Sequence, residues 1–188
     1  MSRYYKGAGV GTYWHMNDAM VSGFTPASGG APAGQNTIKN HIVNQLVSIS
    51  PYISLSRSYE VAEVYAKYYG RSAPTTAVPA YVYELDIPNA SSATLIDPVQ
   101  ELAKFLGTPF ASFFYQHNGA QDVLLGLVDS AMFGHVLARQ IRSPGAPTGR
   151  GPNITDELQA LVRALRDAEV LAQGAISRAC LVHKHPVV

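Results

Sequence analysis

Three serines, Ser54, Ser56 and Ser58, stand two apart in a segment that also carries Tyr52, Ile53 and Leu55. Tyr52, Ser54 and Ser56 alternate with Ile53 and Leu55, the period of a β-strand with one apolar face and one hydroxyl-bearing face. Ser58 is placed to cap a helix, its oxygen accepting an amide N–H of the first turn. Val61, Ala62, Tyr65, Ala66 and Tyr69 follow at helical spacing and give that helix a face to bury. A hydroxyl-lined strand that ends at a helix N-terminus suits a polar, phosphate-bearing ligand. The same serines are ordinary on any solvent-facing strand, so their meaning depends on what the rest of the chain brings to them.

Those further groups are few. Asp122 opens the apolar run Val123, Leu124 and Leu125, which reads as a short strand starting on a carboxylate. Arg3 and Lys6 lie at the start of the chain, next to Gly7, Gly9 and Gly11, whose spacing matches neither the dinucleotide nor the P-loop fingerprint. Phe110, Phe113, Phe114 and Tyr115 crowd one segment ahead of Asp122. His15, His41, His117 and His135 are scattered without ligand spacing, and Cys180 is the only cysteine. No metal site and no intrachain disulfide are therefore expected.

The elements that must position these residues can be read in order. Residues 3–5 begin a strand that the glycines turn into a loop, and residues 14–22 suggest a short helix closed by Gly23. Residues 24–35 are rich in Gly, Pro, Ala and Ser and read as a loop; residues 40–49 favour a helix or turn leading to the serine strand. After the helix of residues 58–69 comes a loop, then the clearest strand, residues 80–87, closed by Pro88. Residues 99–106 read as a helix, 108–120 as an aromatic loop, and 121–126 and 134–142 hold strands. The three prolines and three glycines of residues 143–153 mark a linker. A final helix is expected over residues 154–171, free to pack in cis or on a partner, and His183 to His185 read as a solvated tail. Strands outnumber helices, so the class is α+β rather than a βαβ repeat.

At 188 residues the chain suits one main domain. A net charge of +1 gives no support to a nucleic-acid surface. No window is apolar and long enough to cross a bilayer, and residues 1–10 show no secretory pattern. The expected location is the cytoplasm of the producing cell, or delivery out of it as a domain of a secreted or injected protein.

In order and spacing, a basic residue on a first strand, a Ser-x-Ser strand entering a helix, the Tyr81 and Tyr83 strand and an acidic residue opening a late strand resemble the mono-ADP-ribosyltransferase toxins. The likeness is to the cholera- and pertussis-like branch with its Arg, Ser-Thr-Ser and Glu landmarks, and it runs from Arg3 to Arg142. It implies a split antiparallel β-sheet core with flanking helices over residues 1–142, outside the linker 143–153 and the segment 154–188. It implies NAD as substrate, cleavage of the nicotinamide–ribose bond and transfer of ADP-ribose to an acceptor, macromolecular or small, that the chain does not identify. Arg3 would anchor NAD, with Lys6 as the runner-up; Gly7 and Arg57 would lie near the dinucleotide. Ser54 and Ser56 would organise the site, although Leu55 replaces the usual Thr. Asp122 would be the catalytic acid, one methylene shorter than the family's Glu, and Ala120 stands where branches of the family carry Glu or Gln. Phe113, Phe114, Tyr115, Ala120 and Gln121 would form the acceptor loop. The departures at Asp122 and Ala120 leave two alternatives beside transfer: NAD hydrolysis, or an inactive fold serving as a binding module.

Overall fold

The computed structural model describes residues 3–27, 35–44, 50–88, 91–103, 114–117, 120–123, 141–142 and 156–188. Arg3–Ala8 forms β1, and Gly7 lies within it because a helix passes directly over that point. A Cβ at Gly7 would come within 2.1 Å of the Ala62 carbonyl oxygen. Two one-turn helices follow, α1 (Tyr13–Met16) and α2 (Ala19–Ser22). Asp18 breaks what reads as one helix and caps the second turn through the Met20 amide at 2.9 Å. Helix α3 covers Gln35–Asn44, and β2 covers Tyr52–Ser56. Helix α4, Tyr59–Tyr68, starts at the Ser58 cap and buries Val61, Ala62, Val64 and Ala66.

Strand β3 (Ala80–Asp86), β4 (Thr94–Ile96) and α5 (Pro98–Ala103) come next. Strands β5 (Phe114–His117), β6 (Ala120–Val123) and β7 (Ile141–Arg142) pair with one another in a second, three-stranded sheet. Helix α6 (Asp156–Arg166), β8 (Glu169–Gln173) and β9 (Leu181–Val187) complete the described chain. The main sheet has six strands in the order β4-β8-β2-β1-β3-β9, every neighbouring pair antiparallel. With its flanking helices it is an α+β fold.

The alternation in β2 is realised as two faces. Ile53 and Leu55 join Tyr4, Ala8, Tyr83, Leu85, Val170 and Ala172 in one core. Phe24 seals that face, packing edge-on to Tyr83 with centroids 5.3 Å apart. The opposite face meets the helices: Tyr52 and Leu171 pack with Ile38, Leu102, Leu161 and Ala164 from α3, α5 and α6. Pairing along most of the sheet is continuous, with β1 on β3 running from Arg3↔Asp86 to Ala8↔Tyr81. Between β1 and β2 it is confined to one pair, Tyr5↔Ser56. Beyond that pair the two central strands part, and the sheet opens at its middle.

The segment 154–188 corrects the expected domain boundary at residue 142. Its helix ends at Arg166, and the backbone turns at Ala168, φ 45°, into β8. Strand β8 lies between β2 and β4, so it sits inside the sheet. Val170 continues the apolar rhythm of α6 closely enough to suggest helix, but its burial and that of Leu171 and Ala172 on successive positions is that of a strand covered on both faces. His183, Lys184 and His185 are no solvated tail: they sit in β9, opposite Glu84, Tyr83 and Val82. Polar residues suit this strand because it is the sheet edge, and the Lys184 ammonium lies 4.0 Å from the Tyr81 ring centroid. The expected linker, residues 143–153, lies outside the described residues.

Candidate functional site

Where β1 and β2 part, a cavity of about 400 Å³ opens. Its walls are Tyr5, Lys6 and Gly7 of β1, Ser54 and Ser56 of β2, and Val61, Ala62 and Tyr65 of α4. His41 of α3 closes one side, and Arg163, Arg166, Asp167 and Glu169 close another. The register explains the convergence. Ser56 faces Glu169 and Ser54 faces Leu171 across the β2–β8 ladder, so both serines and Glu169 share one face.

Each serine has a distinct task. Ser56 accepts from the Ser58 amide at 2.9 Å and donates to the Asp167 carbonyl at 2.7 Å. It ties the end of β2 to the turn that delivers Glu169. The Ser54 hydroxyl lies 2.6 Å from His41 Nε2 and shares its sheet face and the cavity wall with Glu169. Lys6 reaches across the opening, its Nζ donating to the Ser54 carbonyl at 3.0 Å. An ammonium has three donor protons, which leaves it capacity for a ligand.

The buried charges perturb one another strongly. Burial raises the Glu169 carboxyl to about 7, with Asp167 adding to the shift and Ser54, Lys6 and Arg166 opposing it. Burial lowers the Lys6 ammonium to about 8, while the Glu169 carboxylate pulls it back up. Burial also lowers His41 to about 4, assisted by the nearby positive charge of Lys6, so its imidazole is neutral. Arg166 grips Asp167 with two bonds, Nε to Oδ1 at 2.6 Å and Nη2 to Oδ2 at 2.9 Å, and Tyr65 donates to the same carboxylate at 2.7 Å. A titratable acid beside a depressed lysine, in a cleft lined with hydroxyls, is the pattern of a reactive site.

Several residues singled out in the sequence meet here: Lys6, Gly7, Ser54 and Ser56. Others do not. Arg3 pairs with Glu84 at 2.8 Å on the exposed part of β1, where the strand is fully paired with β3. Of Arg3 and Lys6, the one that lines the cavity is therefore Lys6, which sits beyond the Tyr5↔Ser56 pair. Arg57 is half-exposed and bonded to Asp97 at 3.5 Å, outside the cavity wall. Asp122 lies in β6, opposite Tyr115, in the second sheet; the acid that β8 sets beside the serines is Glu169. Ala120 and Gln121 are also in β6, opposite His117 and Gln116, and Phe114 and Tyr115 form β5, so that part of the expected loop is a hairpin. Phe113 lies outside the described residues.

Sequence reasoning missed Glu169, Asp167, Arg166, Arg163 and His41 as site residues. The signal for Glu169 was present: a carboxylate opening the apolar run Val170, Leu171 and Ala172 is the same signature that singled out Asp122. Reading residues 154–171 as one helix concealed it. Nothing in the spacing of His41 marks it, because its partners come from β2 and the segment before it. Among the described residues no group of His, Cys, Asp and Glu is placed to hold a metal ion, and no helix is long and apolar enough to cross a membrane. Comparison of the chain with protein-family models, with curated proteins and with solved structures gave no match.

Proposed function

We propose that this chain is an NAD-dependent mono-ADP-ribosyltransferase whose catalytic acid is Glu169. One observation carries the reading: the strand paired with the serine strand places a buried carboxylate beside Ser54, opposite the ammonium of Lys6, where the central strands part. That supports a split-sheet fold of the ADP-ribosyltransferase kind, and a cavity of about 400 Å³ is of a size that suits a small-molecule site.

The chemistry follows from charge. As the nicotinamide–ribose bond breaks, the pair of electrons leaves with nicotinamide and positive charge develops on the ribose carbon. A preorganised carboxylate at that carbon stabilises the cation in a site where water screens little. Glu169 serves only when ionised, so the rate should rise with pH through about 7. Lys6 and Arg163 are cations in the cavity wall that can meet the anionic parts of the substrate, and Tyr65 and Tyr69 offer aromatic wall. Asp167, two residues before Glu169, has both oxygens taken by Arg166, with Tyr65 donating to one of them as well. A group so engaged is poorly free to handle a protein acceptor, which favours water as acceptor and NAD hydrolysis as the second reading.

The test is release of nicotinamide by the purified chain. Glu169→Ala and Glu169→Gln should each lower it by about 100-fold or more, the scale of losing one preorganised stabiliser. Asp122→Ala should leave it within about twofold of the unaltered chain, since no transition-state stabilisation is assigned to it. The opposite pattern would return the acid to Asp122. Absence of NAD binding at millimolar concentration would sink the enzyme reading.

A further inference from the structure

His41 is held between two hydroxyls. Its Nδ1 lies 2.6 Å from Ser50 Oγ and its Nε2 lies 2.6 Å from Ser54 Oγ, with the ring buried edge-on to Tyr52. Ser50 is itself buried, and its oxygen already accepts the Tyr52 amide at 3.1 Å. A hydroxyl has a single proton to give, and among the described residues the partner for it is Nδ1. A neutral imidazole that accepts at Nδ1 carries its proton on Nε2 and donates there to Ser54. Ser54, whose oxygen now accepts, has its own proton left to give, and Glu169 is the carboxylate that shares its sheet face and lines the same cavity. The donor direction therefore runs one way, from Ser50 through His41 and Ser54 to the carboxylate.

We propose that His41 is a positioning residue: as the Nε2–H tautomer it fixes the Ser54 hydroxyl as a donor to Glu169 and so favours the ionised carboxylate. The role rests on the function proposed above, although the hydrogen-bond chain itself can be judged without it. The depressed basicity of His41 supports the chain, because a neutral ring is required across the working range. The groups that face Glu169 are Lys6 from β1, Ser54 from β2, and Arg166 and Asp167 from the end of α6, with Tyr65 of α4 bonded to Asp167. Burial and Asp167 raise its pKa, while Lys6, Arg166 and Ser54 lower it. His41 acts only through Ser54.

The first measurement is the nitrogen resonances of His41 in the full chain between pH 6 and 8, assigned by their loss in His41→Gln. A protonated Nε2 with an unprotonated Nδ1 is expected, and Ser50→Ala should weaken that preference. A dominant Nδ1–H form would overturn the proposal. The second is the carboxyl carbon of Glu169 followed through its titration. In His41→Leu its midpoint should rise by about one pH unit, the scale of one hydrogen bond to a charged group. In His41→Gln, whose amide can still donate to Ser54, the midpoint should stay near that of the unaltered chain. An unmoved midpoint in a folded His41→Leu would also overturn it. Where nicotinamide release is measurable, the acid limb of kcat should shift with the same midpoint while KM changes little. Failure of release in the unaltered chain would strike the enzyme reading alone, since both resonance measurements need no turnover.

Discussion

Arg166 and Asp167 are neighbours in sequence, yet their side chains meet as a bidentate ion pair, each only 10% exposed. The helix ends between them and the chain reverses, which brings the guanidinium back over the following carboxylate. The Asp167 carboxylate holds the Arg166 guanidinium above its ordinary value against the opposing effect of burial. Such a pair adds little net stability, but removing one partner strands the other charge away from water. Arg166→Met should therefore lower the free energy of unfolding by about 3–5 kcal/mol in urea. Adding Asp167→Asn should restore a large part of that loss, because the amide removes the stranded charge and still accepts from Tyr65. If the double variant is no more stable than the single one, the loss comes from packing of the arginine stem instead.

Among the elements, β1 and α4 are in close backbone contact at Gly7. The Gly7 Cα sits so near the helix that an added methyl group would meet the Ala62 carbonyl at 2.1 Å and the Ala66 amide at 2.9 Å, both backbone atoms that no rotamer change can move. Gly7→Ala should push α4 off the sheet, cost about 1–3 kcal/mol as overpacking does, and widen the cavity that both elements line. A thermal melt and a urea titration would measure the loss; an unchanged midpoint would mean that α4 is free to shift. The β2–α4 unit was legible in the sequence because its signals are local: alternation through Tyr52–Ser56, then a Ser58 cap and a helical apolar face. Strand β8 was not, because Val170 kept the helical rhythm and the break rests on one positive-φ alanine, Ala168. Strand β9 was not, because an edge strand with two histidines and a lysine looks like a solvated tail until Tyr81, Tyr83 and Glu84 are known to lie beside it. The serines and Lys6 of the cavity could be read from local pattern, whereas Glu169 and His41 depend on pairings more than a hundred and more than ten residues apart, respectively.

At the scale of the whole molecule, burying an acid and two bases in one cavity makes stability depend on pH in opposing directions. Glu169 has an ordinary value of 4.5 and about 7 in the fold. Between those values the folded chain binds the extra proton, so stability falls as pH rises across that window. His41 moves from 6.5 to about 4. There the unfolded chain binds the extra proton, so stability rises with pH from about 4 to 6.5 and is lost on acidification. Each slope is about 1.4 kcal/mol per pH unit where the group is fully in its window, and between 4.5 and 6.5 the two oppose each other and largely cancel. Lys6, lowered from 10.5 to about 8, adds a rise in stability on the alkaline side between those values. Single substitutions should uncover the hidden slopes. Glu169→Gln leaves the histidine contribution, so unfolding free energy measured in urea should climb steadily from pH 4 to pH 6.5. His41→Leu leaves the acid contribution, so the same quantity should decline from pH 4.5 to pH 7. Parallel curves for the two variants would show that these groups do not share the buried environment from which their opposite shifts arise.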